Sequence, residues 1–107
     1  MIRGDVCYYT FKAPDKRRPV LVLTRTNVIS FLNEISVAPI TTTIRDNDSS
    51  VWLDESDGVR EACAVNLDYI QTVSKEKLGK PFAHLSETRM NEVLEAIKFA
   101  FGFDKDK

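Results

Sequence analysis

Only one stretch of this 107-residue chain repeats its apolar side chains at helical spacing. Met90, Val93, Leu94, Ile97 and Phe101 recur every three or four residues behind Ser86, a good N-cap, and Gly102 closes the run. Leu85 and Met90 bracket the start as a hydrophobic staple, although Arg89 denies it a capping box. With no second long helix to pack against, this stripe must lie on a sheet.

The sheet comes from short apolar runs upstream. Val6 to Phe11 reads as a strand buried on both faces, and Val20 to Thr24 as a short central one that Pro19 can begin. Between them, residues 12–18 form a polar, basic loop with turn chemistry at Pro14-Asp15. Thr26 to Leu32 carries no single clear pattern, and Thr26 or Asn27 can cap one helical turn there. Glu34 to Thr41 alternates as a third strand, and Pro39 within it cannot donate to a ladder, which predicts an edge or a break just before Thr41. Ser49 to Leu53 is a fourth strand, closed by the hairpin-type signal Ser56-Asp57-Gly58. Ala62 to Leu67 and Ile70 to Val73 complete the strand material, and Ser74 to Leu78 makes one helical turn. The pattern predicts an α+β, mostly β domain over residues 1–107. It is a small, twisted antiparallel sheet or partial barrel of five or six strands, with its helix at 86–102.

Charge excludes a polybasic nucleic-acid coat: 15 basic residues face 16 acidic ones. Their distribution is uneven. Lys12, Lys16, Arg17, Arg18 and Arg25 stand against Asp15 alone, whereas residues 46–61 carry six acids against Arg60. The first cluster is either a solvated loop or a grip for phosphate, with the Arg18 guanidinium held beside Pro19 and able to donate to two phosphate oxygens. No apolar run approaches the length of a membrane span, and the opening Met1-Ile2-Arg3-Gly4-Asp5 lacks a signal core, so a soluble, cytoplasmic protein is expected.

Several chemistries drop out. The one histidine, His84, placed in the loop before the helix, excludes a two-histidine ribonuclease mechanism. His84, Cys7 and Cys63 lack zinc spacing, and both cysteines read as buried thiols. Asp46-Asn47-Asp48 resembles the start of a calcium loop, but Val51 occupies the glycine position, so no metal is expected. There is no phosphate-cradling glycine loop. Two polar clusters remain. Thr41-Thr42-Thr43 with Arg45 follows Pro39, and its hydroxyls either cap a turn or face a cleft. Asn66, Asp68, Tyr69 and Gln71 interrupt an apolar run, as a wet strand edge or as a row that reads unstacked bases.

These pieces together resemble the MazF/PemK family of bacterial toxin–antitoxin ribonucleases. The matching residues are Arg3-Gly4-Asp5-Val6, Arg17-Arg18-Pro19-Val20-Leu21-Val22, Val37-Ala38-Pro39-Ile40-Thr41, Val65 to Val73, Lys77-Leu78-Gly79 and the C-terminal helix, in family order from Ile2 to Phe103. The resemblance implies an SH3-like partial barrel that forms homodimers. It implies a cofactor-free, metal-independent endoribonuclease that cuts single-stranded RNA (mRNA, tRNA or rRNA) at short motifs, leaving 2′,3′-cyclic phosphate and 5′-hydroxyl ends. A cognate antitoxin with a flexible acidic tail would inhibit it.

Carried over by position, the catalytic arginine falls on Arg18 and the catalytic hydroxyl on Thr41. Lys16, Arg17, Thr42, Arg45, Asn66, Asp68 and Gln71 become candidate RNA contacts. The family's first loop is longer, with an acid ahead of the arginine; here only Asp15 stands as the candidate general base. Two other readings share the fold: a gyrase poison that cuts no RNA, and a non-catalytic SH3-like interaction module.

Overall fold

The computed structural model describes residues 1–12, 16–43 and 46–104. Seven strands are present among them: β1 (Asp5–Phe11), β2 (Lys16–Val22), β3 (Glu34–Thr41), β4 (Ser50–Leu53), β5 (Cys63–Asn66), β6 (Gln71–Ser74) and β7 (Ala83–His84). A four-residue helix, α1 (Thr26–Ile29), follows β2, and the long helix α2 (Glu87–Ala100) follows β7. All pairings are antiparallel, in the order β4-β5-β3-β2-β1-β7, with β6 also on β3.

β3 is the hub, and it changes partner along its length. Residues 34–37 pair with β6, and Ile40 and Thr41 pair with β5. Pro39 sits between the two ladders, where a missing N–H leaves no bond unmade. The expected edge or break is therefore a change of partner inside a continuous strand. Pro19 uses the same device. It lies inside β2, not at its start, one residue beyond Val20↔Pro39, where the β2–β3 ladder ends. β2 begins at Lys16, so Arg17 and Arg18 belong to a strand paired with Thr10 and Tyr9 and not to the basic loop expected over 12–18.

The sheet is covered on both faces, because alternate residues of β2 and β3 enter different cores. Val6, Leu21, Ala38 and Ile40 join Val51, Leu53, Val65, Leu67 and the α2 residues Val93 and Ala96. Cys7, Val20, Val22, Ile35, Val37 and Val73 form the second cluster with Ile29 of α1. Truncating a side chain such as Leu21, which is wholly buried, costs about 2–5 kcal/mol. β1 is buried on both faces only at Val6 and Cys7, and it is half-buried at Tyr8 and Tyr9.

Helix α2 starts as expected, with Ser86 Oγ accepting from the Arg89 N–H at 3.2 Å. Its buried stripe is narrower than the periodicity suggests: Leu94 and Phe101 are exposed, and Ala96 and Ala100 take their place against the core. His84 is in β7, not a loop, opposite Asp5, whose carboxylate meets its ring at 2.9 Å. Ser56 and Asp57 lie in a 3-10 turn capped by Asp54, and Gly58 ends it at φ +94. Among the described residues no helix is long and apolar enough to cross a membrane.

Candidate functional site

The parting of β2 and β3 opens the sheet. Continuing the register of Val20↔Pro39 outward by two residues sets Arg18 against Thr41. There Thr41 pairs instead with Ala64 of β5, so the two strands diverge. A cleft of about 360 Å3 fills the gap, lined by Arg18, Pro39 and Thr41 from the diverging strands and by Asn66, Asp68 and Tyr69 on its far wall. It continues past Arg18 and Tyr69 into a shallower trough of about 290 Å3 between Phe11, Lys12 and Gln71. Tyr69 stands 66% exposed between the two, a flat surface over the groove.

Three polar side chains of the cleft, Thr41, Asn66 and Asp68, are held by local bonds. The hydroxyl oxygen of Thr41 accepts from the Thr43 N–H at 3.1 Å, which fills one lone pair and leaves its proton free to donate. Asn66 ends β5 and caps the next 3-10 turn, its Oδ1 accepting from the Asp68 N–H at 3.0 Å. The Asp68 carboxylate is tied down by Ser49, 2% exposed, whose hydroxyl donates to it at 2.6 Å. Ser49 is itself fixed by Asn47, whose Oδ1 accepts from the Ser49 N–H at 3.1 Å. Among the described residues no carboxylate forms an ion pair with Arg18, so its guanidinium stands in the cleft as an open cationic fork.

Of the candidates read from the sequence, Arg18, Thr41, Asn66 and Asp68 line this one cleft, and Gln71 lines its continuation. Arg17 and Thr42 lie elsewhere. The Arg17 guanidinium covers the Tyr8 ring at 4.0 Å, and Thr42 lines a separate pocket of about 190 Å3 beside it. Asp15 and Arg45 fall outside the described residues, and of Lys16 only the backbone is described. Sequence reasoning missed the part Asn47 and Ser49 play in holding the Asp68 wall in place, and it named Thr43 only within the Thr41-Thr42-Thr43 cluster. The signal was present in Asn47-Asp48-Ser49, an Asx-turn tripeptide. Among the described residues no group of three or more His, Cys, Asp or Glu side chains could hold a metal.

Comparison with known proteins gives a consistent result. Residues 2–101 match the family described as PemK-like, MazF-like toxin of type II toxin-antitoxin system. The chain is 39% identical over 90 residues to Endoribonuclease MazF3 of Mycobacterium tuberculosis, covering 84% of this chain and 87% of that one. It is 39% identical over 99 residues to the probable endoribonuclease MazF5 of the same organism, covering 92% and 90%. The structure of Mycobacterium tuberculosis toxin MazF-mt6 superposes with a TM-score of 0.86 at 35% identity, over 94% of this chain and 98% of that one. The fold is also that of an endoribonuclease in complex with its cognate antitoxin from a mycobacterial species, with a TM-score of 0.85 at 24% identity over 97% of both chains.

Proposed function

The chain belongs to the PemK-like, MazF-like toxins of type II toxin–antitoxin systems, and from that premise we propose that it is an endoribonuclease whose reaction centre is the Arg18–Thr41 cleft. The substrate is single-stranded RNA, whose unstacked bases can spread along the groove past Tyr69. Its relatives named as endoribonucleases support the activity. The observation that carries the site is one cleft lined by both Arg18, which no carboxylate among the described residues pairs, and Thr41, whose hydroxyl oxygen accepts from the Thr43 N–H.

Chemistry follows from those two groups. The ribose 2′-oxygen attacks the adjacent phosphorus, the 2′-O–P bond forms, and the P–O5′ bond breaks. A 2′,3′-cyclic phosphate and a 5′-hydroxyl result. The 2′-hydroxyl proton departs to a base and the 5′-oxygen takes one from solvent. Negative charge builds on the phosphoryl oxygens in between. The Arg18 fork neutralises that charge and the Thr41 hydroxyl donates to it, so each counts most at the transition state. A guanidinium stays protonated at working pH, which makes Arg18 a charge stabiliser and not a proton donor. Asp68 already accepts the Ser49 proton and serves as an acceptor for sugar or base N–H and O–H groups. Asp15, outside the described residues, is the proposed general base. These steps use no metal ion.

A type II toxin has a proteinaceous antitoxin partner, and an acidic segment of it fits a groove whose described cations are Arg18 and Lys12. We place the toxin in the cytoplasm as a homodimer. The test is digestion of a mixed RNA pool in excess EDTA, beside Arg18→Ala protein, with a gyrase supercoiling assay in parallel. Cutting to cyclic-phosphate ends that Arg18→Ala lacks supports the reading. Loss of all cutting in EDTA contradicts the metal-free chemistry, and trapped gyrase with intact RNA contradicts the endoribonuclease.

A further inference from the structure

Strand β4 ends the sheet, and among the described residues no strand pairs its outer edge. Resting on the toxin–antitoxin reading above, we propose that this edge takes a short extended segment of the antitoxin as an added strand, its Lys or Arg side chains set among apolar ones.

The edge offers backbone groups at known positions. The Leu67 N–H donates to the Ser49 carbonyl at 2.9 Å, which sets the phase of the β4–β5 ladder. Ser50 and Trp52 therefore stand at its non-hydrogen-bonded pairs with Asn66 and Ala64, and their own N–H and C=O groups point away from β5. The Ser50 N–H turns back to the Asn47 carbonyl at 3.3 Å. The Ser50 C=O and both backbone groups of Trp52 find no partner among the described residues and are left for an incoming strand.

The surroundings of the edge select the occupant. A groove of about 560 Å3 runs between Trp52 and the α2 residues Glu92, Glu95 and Phe99. Trp52 is 52% exposed and Phe99 36%, so apolar side chains have a surface to cover. Every ionisable residue lining the groove is acidic: Asp48, Glu92, Glu95 and Asp104. Glu92 and Glu95 each pair with a cation of their own helix, Arg89 and Lys98, whereas Asp48 and Asp104 form no ion pair among the described residues. Asp104 Oδ1 is also buried without a hydrogen-bond partner among them, an acceptor set for a donor. RNA phosphates are repelled here, and a second copy paired edge to edge would bring the same carboxylates together. A cationic peptide meets neither obstacle, and its Lys or Arg can also lie over the Trp52 ring.

The groove leads to the reaction cleft. Asn47 and Ser50 line both. Ser50 lies directly opposite Asn66, so their side chains share one face of the sheet, and Asn66 lines the cleft. A segment anchored on β4 thus delivers the acidic stretch of the same antitoxin to the cleft at high effective concentration.

The test is hydrogen exchange at single amides in free toxin and in the complex purified from cells that also express its antitoxin. Wild type, Trp52→Ala, Trp52→Pro and Asp104→Asn are compared, with melting curves and RNA cleavage for each free protein. Expected is slowed exchange of the Trp52 N–H in the complex. Trp52→Pro, which beyond Trp52→Ala loses that N–H, should bind the antitoxin about tenfold more weakly than Trp52→Ala does. Asp104→Asn should bind more weakly than wild type with a shallower salt dependence, and every free variant should cut RNA at the wild-type rate. Unchanged Trp52 exchange in the complex overturns the inference, as does equal affinity of folded Trp52→Pro and Trp52→Ala. Protection that rises with the concentration of free toxin, or that a 2′-deoxy oligonucleotide gives, overturns it in favour of a second copy or of RNA. If Trp52→Pro does not fold, wild-type exchange and Asp104→Asn decide. Free wild type that cuts no RNA sinks the endoribonuclease reading, whereas Trp52 exchange in the complex judges the edge by itself.

Discussion

Arg18 and Thr41 line one cleft, each two residues beyond the last paired positions of β2 and β3, Val20 and Pro39. The prolines explain why the sheet opens there. Pro19 has no N–H to offer β3 where the β2–β3 ladder ends, and Pro39 marks where β3 leaves β6 for β5 on its other edge. A polar cleft inside a two-sided sheet is otherwise costly, because open backbone groups would need water or a ligand.

Ser49→Ala tests whether the far wall is held in place. The substitution strips the Asp68 carboxylate of a buried 2.6 Å donor. Because Asp68 is itself exposed, we expect only about 0.5–1.5 kcal/mol less stability in denaturant melts, together with a lower kcat/KM on RNA. Unchanged stability would mean that Asp68 is satisfied by solvent.

Arg18→Gln should flatten the salt dependence of RNA binding. Each phosphate neutralised on a single strand contributes about −0.7 to the slope of log affinity against log salt, so removing one cation should reduce the slope by about that amount. The check is a titration at several salt concentrations with a non-cleavable 2′-deoxy oligonucleotide. A parallel but weaker line would place Arg18 away from the phosphate.

Arg89→Met leaves Asp57 buried without its partner. Hydrogen bonding to Asp57 holds the Arg89 guanidinium above its ordinary pKa, which marks the pair as mutually stabilising. A loss of about 1–3 kcal/mol is expected on thermal unfolding. Hydrogen exchange in residues 54–62 should quicken first, because Arg89 is their tie to helix α2.

The two thiols should be inert in the folded protein and should weaken it in alkali. Burial, reinforced by Asp5, pushes Cys7 from 9.0 up to about 11. Burial, with Asp57 and Glu61 nearby, raises Cys63 as well. The unfolded thiol therefore loses its proton first. Between about pH 9 and 11 the unfolded state binds fewer protons, so stability falls by up to about 1.4 kcal/mol per pH unit from Cys7. Cys7→Ala removes that slope in urea melts across the range, and a thiol reagent at neutral pH should label neither residue before unfolding.

Much of this architecture was legible from local pattern. Strand runs such as Val20 to Val22, the Ser86 cap and the Leu85–Met90 staple carry their own signals, and the family motifs pointed to Arg18 and Thr41, which line one cleft. What escaped was set by tertiary pairing. Pro19 reads as a strand start because a central strand needs every N–H, and only the early end of the β2–β3 ladder frees it from that need. Arg17 and Arg18 read as one basic patch, yet strand alternation sends them to different faces: Arg17 to Tyr8, and Arg18 to the cleft. Leu94 fits helical spacing as well as Ala96 does, yet it is Ala96 that packs into the core while Leu94 stays exposed. His84 joins a two-residue strand too short to leave a periodic signal.

The central claim is that Arg18 and Thr41 act together on one phosphodiester. The most direct measurement is a double-mutant cycle of Arg18→Ala and Thr41→Val, read as single-turnover RNA cleavage in EDTA. We predict that each variant slows cleavage by about 10²–10³ and that the double variant is far faster than the product of the two losses would give. A Thr41→Ser control should recover most of the rate. Multiplicative losses, or either single variant cutting at the wild-type rate, would contradict the account.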